Sequence, residues 1–249
     1  MLEQNRISAG DGKQTVLDGI SVDFEKGKLT SIIGVNGCGK STLLKAILGI
    51  LSLSSGEIFI DGENLLTISR NEIAKKIAYL SQGKNIPDMT VEQMVLHGRF
   101  PYLSYPRRYS SHDREVAIKA METVGVAEFA HKPLYSLSGG MRQNAYIAMA
   151  LAQDTDYILL DEPTTYLDIA HQLELMRILR KLADSGKGIV TVMHNLPIAF
   201  DFSDKLTVMS NGKIIAYGAP SEICESHIVE DIFGVKIKQV QKGKYLYEY

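Results

Sequence analysis

Gly34–Thr42 reads GVNGCGKST, and the segments on either side decide how it is to be read. Before it, Leu29–Ile33 (LTSII) is mostly apolar and β-branched, as a buried strand is. After it, KSTLLKAILG sets Leu43, Leu44, Ile47 and Leu48 at helical spacing. A strand, a glycine turn and a helix start therefore coincide with the pattern G-x-x-x-x-G-K-[ST]. Through Gly34, Val35, Asn36, Gly37, Cys38 and Gly39, successive backbone N–H groups can curl round a polyphosphate at the positive end of a helix dipole. Lys40 would reach the terminal phosphates, the Ser41 hydroxyl would ligate Mg²⁺, and Thr42 completes the motif. The competing reading is a glycine loop that merely turns the chain, and the strand-before, helix-after context argues against it. The stretch predicts a nucleotide-phosphate site.

Composition sets the outer bounds. A chain of 249 residues accommodates one large domain or two small ones. Hydrophobic content of 45% with 22% charged residues is that of a soluble globular protein. No apolar run approaches the roughly 18 residues of a membrane span, and MLEQNRISAG lacks the basic-then-apolar pattern of a signal peptide. Cys38 and Cys224 form no disulfide framework or metal spacing, which fits a reducing compartment. A net charge of −2 argues against nucleic acid as a partner. The expectation is a cytosolic chain whose membrane link, if any, runs through a partner.

Residues 1–33 read as strands, with Ile20, Val22 and Phe24 alternating with Ser21 and Asp23 after apolar Val16. EKGK (25–28) is the turn that feeds the phosphate-loop strand. SSGEIFIDGENL reads as a hairpin turning at Asp61-Gly62, and the apolar stretch Ile77–Leu80 ends in Ser81-Gln82. From about Gly83 to Asp154 helical patterns replace strands. That region holds a Pro- and Tyr-rich loop, FPYLSYPRRYSS (100–111), and a helix over about 113–125. Arg107 and Arg108 in the loop suit solvent. SLSGGMRQNAYIAMALAQ places a Gly-Gly turn directly before an apolar helix over about 141–153. The α/β pattern then resumes with YILL (157–160), a helix carrying Leu175, Ile178, Leu179 and Leu182, and the buried strand GIVTVM (188–193). LTVM and KIIAYG, joined at Ser210-Asn211-Gly212, close the pattern as a hairpin.

Ligands of open parallel sheets bind outside the carboxyl ends of the strands, and three buried strands here end in chemistry. The first ends at Gly34, the second at Asp161-Glu162 and the third at His194. Asp161 is placed to hold Mg²⁺ through water, and Glu162 to orient or deprotonate an attacking water. The competing reading is a plain turn before Pro163. His194 alone would be a structural histidine; its place at a third strand end makes it a catalytic candidate. Gln82, ending another apolar stretch, is a candidate for metal or water contact.

Read in order, GVNGCGKST, Gln82, LSGGMRQ (137–143), YILLDEP, TTYLD (164–168) and His194 resemble the ATP-binding cassette (ABC) ATPases over nearly the whole chain. LSGG before a helix separates that family from other phosphate-loop enzymes. GRFPYLS (98–104) and RQNAYIAMALAQDTDYILLDEPTTYLDIAHQ look most like the ATPase subunits of iron–siderophore, haem or vitamin B12 importers. The resemblance implies an α/β phosphate-loop cassette with a mixed core sheet, an N-terminal antiparallel β part and an inserted helical subdomain. It would form a single domain over 1–249, with a core lobe of about 1–82 and 154–249 and a helical subdomain of about 83–153.

The resemblance also implies a mechanism with ATP and Mg²⁺. Two copies would sandwich two nucleotides head to tail, each between the phosphate loop of one copy and the LSGG of the other. Ser138, Gly139 and Gly140 would donate to the γ-phosphate across that dimer, unless they form only a helix-start turn. Asp168 would link the two sites, Glu162 would be the catalytic base, and His194 would sense the γ-phosphate. Closure and opening would move two membrane permease subunits, served indirectly by a periplasmic or lipid-anchored substrate-binding protein. The chain would then sit peripherally at the cytoplasmic face of the membrane. The helical region after Gln82 would be the docking surface, with Tyr102 either a permease contact or local packing.

Three positions depart from the family pattern. Asp11 stands where an adenine-stacking aromatic is expected before VLDG, and no Tyr or Trp precedes Tyr79. If base stacking is worth about 1–3 kcal/mol, ATP affinity would fall roughly ten- to a hundredfold, with weak discrimination between bases. Met141 replaces the usual Gln after LSGG. Cys38 reads as small filler, with a reactive thiol at a helix N-terminus as the alternative, to be tested by alkylation with and without MgATP. The competing functions are a non-transport ABC ATPase and a regulatory nucleotide-binding module with weakened hydrolysis. Against the second stand Lys40, Asp161, Glu162 and His194, all in place.

Overall fold

The computed structural model describes residues 1–11, 14–83 and 86–248. Strands β1 (Leu2–Asp11) and β2 (Gln14–Phe24) pair antiparallel, and β3 (Leu29–Gly34) runs into helix α1 (Lys40–Ile47) through the phosphate loop. Next come β4 (Leu53–Ile60), the two-residue β5 (Glu63–Asn64), α2 (Arg70–Lys76) and β6 (Ile77–Leu80). Three helices follow, α3 (Val91–His97), α4 (Ser111–Thr123) and α5 (Gly139–Ala152). The alternating pattern returns with β7 (Tyr157–Asp161), α6 (Ile169–Asp184), β8 (Gly188–Val192), α7 (Leu196–Phe202), β9 (Lys205–Ser210) and β10 (Lys213–Gly218). The described chain ends with α8 (Pro220–Glu225), α9 (Ile228–Phe233), β11 (Lys236–Gln241) and β12 (Lys244–Glu248).

The strands form a six-stranded sheet in the order β10-β9-β3-β8-β7-β6 and a four-stranded sheet in the order β2-β1-β4-β5. In the larger sheet β9, β3, β8, β7 and β6 are parallel and β10 is antiparallel at one edge. Its central strands are buried and mostly apolar because both faces are covered, with Thr30, Ser31, Thr191 and Thr207 the buried Ser and Thr side chains among them. Leu29, Ile33, Ile158 and Leu160 pack toward α3–α7, whereas Ile32, Tyr157, Leu159 and Val192 pack toward α1 and the smaller sheet. Leu29, Ile32 and Ile33 are fully buried, each worth roughly 1.5–3 kcal/mol of transfer free energy. Five parallel strands thus hold their carboxyl ends along one rim.

The structure carries the mixed core sheet, the antiparallel N-terminal part and the inserted helices that the sequence predicts. Ile20, Val22 and Phe24 point inward while Ser21 and Asp23 are exposed. Asp61-Gly62 and Asn211-Gly212 turn with positive φ at both residues of each pair, the geometry that two-residue hairpins require. One boundary is corrected. Gly139 and Gly140 are not a turn ahead of the helix; they are its first two residues, with Ser138 as the N-cap. A second correction concerns the end of the chain, because KIIAYG does not close the fold. The β11–β12 hairpin packs back on α7, where Tyr245 lies 5.1 Å from the Phe200 ring and its N–H donates to Asp201 at 2.8 Å. The terminal elements α8, α9, β11 and β12 are short and carry neither a motif nor a continuous apolar run, so no sequence pattern marks them.

A buried ion pair holds the three inserted helices together. Arg99 Nε donates to Asp113 Oδ1 at 2.9 Å and Arg99 Nη1 donates to the Ala152 carbonyl at 2.9 Å, with both side chains nearly excluded from water. Asp113 also closes the α4 capping box with Ser110. Arg99 lies 4.0 Å over the Tyr102 ring, whose hydroxyl donates to the Gln153 carbonyl at 3.0 Å. Tyr102 therefore packs locally on Arg99 and the α5 terminus, and part of its side chain still faces solvent.

Candidate active site

The phosphate loop takes the shape its glycines allow. Gly37 (φ 77°) and Gly39 (φ 106°) occupy the left-handed region, where other residues are strained. A Cβ on Gly34 would overlap the Met209 carbonyl oxygen and lie 2.7 Å from Cys38 Sγ, so β9 and the loop approach too closely for a side chain. Val35, Asn36 and Gly37 are exposed, while Ser41 and Thr42 are half-buried. Gly39 caps α1 without a side-chain acceptor, leaving the first-turn N–H groups uncapped. Lys40 Nζ donates to the carbonyls of Gly34 (2.8 Å) and Val35 (3.1 Å), which folds the ammonium against the loop. Cys38 is 4% exposed in an apolar cluster, which supports the filler reading and removes the basis for a reactive thiol. The Asp11 side chain and Gly12, on which the adenine expectation rests, lie outside the described residues. Of the two Phe residues before Tyr79, Phe24 is buried and Phe59 is half-buried in β4.

Asp161, Glu162, Gln82 and His194 meet along the sheet rim. Ser41 Oγ donates to Asp161 Oδ1 at 3.0 Å, and Tyr79 Oη donates to Asp161 Oδ2 at 3.4 Å. Burial, helped by the neighbouring Glu162 charge, raises the Asp161 pKa against the pull of the Ser41 and Tyr79 bonds. A carboxylate short of compensating charge, next to a hydroxyl, is a hard-oxygen donor set that suits Mg²⁺. The residues present therefore fit the metal that the motif implies. Burial, with Asp161 alongside, pushes the Tyr79 phenol well above its usual range, so it remains a donor.

Glu162 adopts φ 52° just past β7, a left-handed conformation uncommon for non-glycine residues. That turn aims its carboxylate into a cage of three partners. His194 Nε2 meets Oε1 at 2.6 Å, Gln82 Nε2 donates to Oε2 at 2.9 Å, and Thr165 Oγ1 donates to Oε2 at 3.2 Å. An ionised carboxylate accepts at about four positions, so these partners leave room for a water. The crevice beside it, about 400 Å³, is lined by Gln82, Asp161, Glu162, Gly139, Arg142 and Tyr146. Two of the three partners, Gln82 and His194, are predicted from the sequence and Thr165 is not; its place in TTYLD, three residues after Glu162, is the available signal.

The remaining predicted residues stand at two helix starts. Ser138 Oγ accepts from the Met141 N–H at 3.3 Å, and the Met141 side chain packs on the core. Gly139 lines the crevice just described. Among the described residues, no hydrogen bond joins Ser138, Gly139 or Gly140 to the phosphate loop. Asp168 caps α6, accepting from the His171 N–H at 2.9 Å, and its other oxygen meets His171 Nδ1 at 2.8 Å. Those bonds, the backbone one first, hold the Asp168 pKa below the usual carboxylate value.

A loop of this shape, a hydroxyl–carboxylate pair and a caged glutamate share one rim with a helix that opens in Ser-Gly-Gly. The family profile for ABC transporters matches residues 17–165. The chain belongs to the ABC transporter family. It is an ATP-binding cassette, and like its relatives an ATP hydrolase. The petrobactin import ATP-binding protein FpuD of Bacillus anthracis is 40% identical over 234 residues, covering 93% of this chain and 86% of that protein. The ferric enterobactin transport ATP-binding protein FepC of Escherichia coli K12 is 39% identical over 237 residues, covering 94% and 88% respectively. A solved metal-chelate type ABC transporter in an inward-facing conformation superposes with a TM-score of 0.85 at 27% identity, covering 100% of this chain and 97% of that one.

Proposed function

We propose that this cassette is the ATP-hydrolysing subunit of an importer for iron–siderophore complexes. Both relatives described above carry siderophore names, which favours an iron chelate of that kind over haem or cobalamin. The observation that carries the hydrolytic role is the Glu162 cage beside the Ser41–Asp161 pair. Phosphate-loop N–H groups and Lys40 bind the β- and γ-phosphates. Mg²⁺, when bound by Ser41 and Asp161 with Gln82 nearby, neutralises developing charge on the phosphates. Glu162 accepts a proton from the water whose oxygen attacks the γ-phosphorus, as the bond to the β,γ-bridging oxygen breaks. Gln82 and Thr165 orient the carboxylate, and His194 stands next to where the γ-phosphate charge develops.

The second nucleotide contact comes from a second copy, whose Ser138, Gly139 and Gly140 face the phosphates head to tail while Asp168 links the two sites. Residues 1–82 and 154–249 act as the core lobe, and 83–153 as the helical subdomain that docks two permease subunits near Tyr102. A substrate-binding protein outside the membrane would deliver the chelate to that permease. No helix among the described residues is long and apolar enough to cross a membrane, so the cassette would be held peripherally at the cytoplasmic face.

Glu162→Gln tests this. It keeps the Gln82, Thr165 and His194 surroundings but removes the base, so hydrolysis should fall about 10²–10⁴-fold. Light scattering on a sizing column should then show a dimer with MgATP and a monomer without it. A monomer persisting at millimolar MgATP would overturn the two-copy site.

A further inference from the structure

The α6 start carries two side chains that no part of the hydrolytic scheme uses, His171 and Gln172. His171 Nδ1 is fixed on Asp168 Oδ2 at 2.8 Å, and the opposite side of its ring meets α5. A Cβ on Gly140 would overlap His171 Cδ2 and lie 2.8 Å from both Cγ and Nε2. Gly140 therefore lacks a side chain for a reason inside its own subunit: the imidazole occupies that space. Gln172 continues the connection on the other side. Its Nε2 donates to the Leu167 carbonyl at 2.9 Å, and its Oε1 accepts from Asn195 Nδ2 at 3.4 Å. Asn195 directly follows His194. One helical turn thus touches the TTYLD loop, the Ser-Gly-Gly helix start and the histidine loop.

The geometry points to His171 as a positioning residue that locks the start of α5 to the Asp168 loop. Asp168 fixes the ring rotation at Nδ1, and Gly140 seats against the Cδ2 edge. Displacement of the Asp168 loop then carries Ser138, Gly139 and Gly140 with it, while Gln172 transmits the same displacement toward His194. This inference rests on the reading that Ser138–Gly140 serve a nucleotide in a second copy. It deepens that reading by naming what sets their position.

The seating can be tested by a double substitution. Gly140→Ala alone should lower hydrolysis by about a hundredfold or more, because the ring must leave its bond to Asp168. Gly140→Ala in a His171→Ala background should cost less than tenfold further, because the space is then free. His171→Gln separates positioning from helix capping, since Asp168 can still cap α6 by accepting from the backbone N–H at position 171. It should retain thermal stability and nucleotide affinity at the phosphate loop while kcat falls about tenfold. Equal losses from Gly140→Ala in both backgrounds, or a His171→Gln enzyme with full kcat, would overturn the lock. Failure of the two-copy reading shows separately, as a Glu162→Gln protein that stays monomeric with MgATP.

Discussion

Two helices in this molecule begin at glycines, and their starts are built in opposite ways. At α1 the N-cap is Gly39, with no side-chain oxygen, and Lys40 is tied to the carbonyls of the same loop. At α5 the N-cap is Ser138, whose own hydroxyl takes the Met141 N–H. The first start keeps its amides uncapped and folds a lysine over its own loop; the second spends one amide on its own cap, and its nearby cation, Arg142, donates to the Leu137 carbonyl at 3.3 Å. An anion can therefore be held at α1 by residues contiguous in sequence. In the proposed two-copy site the α5 start would be a supplementary donor set, used only when a second copy brings the phosphate to it.

Lys40→Ala gives the largest contrast. Removing this preorganised charge should weaken nucleotide binding by a single subunit by about 10²–10³-fold, measured with a fluorescent ATP analogue. Ser138→Ala should leave that affinity unchanged, and an equal loss would break the comparison. The next effect concerns what holds α5 in place. Asp113→Ala leaves Arg99 buried and unpaired, which should destabilise the protein by about 3–5 kcal/mol in denaturant unfolding. The wild-type pair has a pH signature. Burial alone would raise the Asp113 pKa, but bonds from Ser110 and Arg99 outweigh it and hold it to about 2. The pair's contribution is therefore complete above the ordinary value of 3.8 and is lost as pH falls through about 2, a change of about 2 kcal/mol. The smallest effect is Ser138→Ala on stability, about 1 kcal/mol for a lost N-cap. Its ATPase rate in the assembled dimer should fall about tenfold.

The α1 start was legible because motif, strand and helix lie within one short stretch and each supports the others. Asp161, Glu162 and His194 were legible because strand ends share a rim in a parallel sheet. The α5 start was misplaced by two residues, since Gly-Gly reads as a turn even where Ser138 caps a helix that begins with it. Thr165, Arg99 and His171 were not singled out at all. Thr165 has only the weak local signal of lying three residues after Glu162; the roles of Arg99 and His171 come from partners at Asp113 and Gly140 that only the folded chain brings near, and no local pattern marks those meetings. The β11–β12 hairpin escaped for the same reason, because Tyr245 is buried by Phe200 rather than by its own neighbours.

The pairing of β3 has a consequence for the chain as it is made. Its two sheet neighbours are β8 and β9, with Leu29 opposite Ile189 and Gly34 opposite Met209. The phosphate-loop strand leaves the ribosome long before β8 and β9, and it has no strand to lie beside in its sheet until they emerge. At about 5–20 residues per second, that interval is on the order of ten to thirty seconds. During it an apolar, unpaired strand must be shielded, and ATP cannot assist its folding. Nascent chains that stop before residue 188 should not be protected from protease by nucleotide.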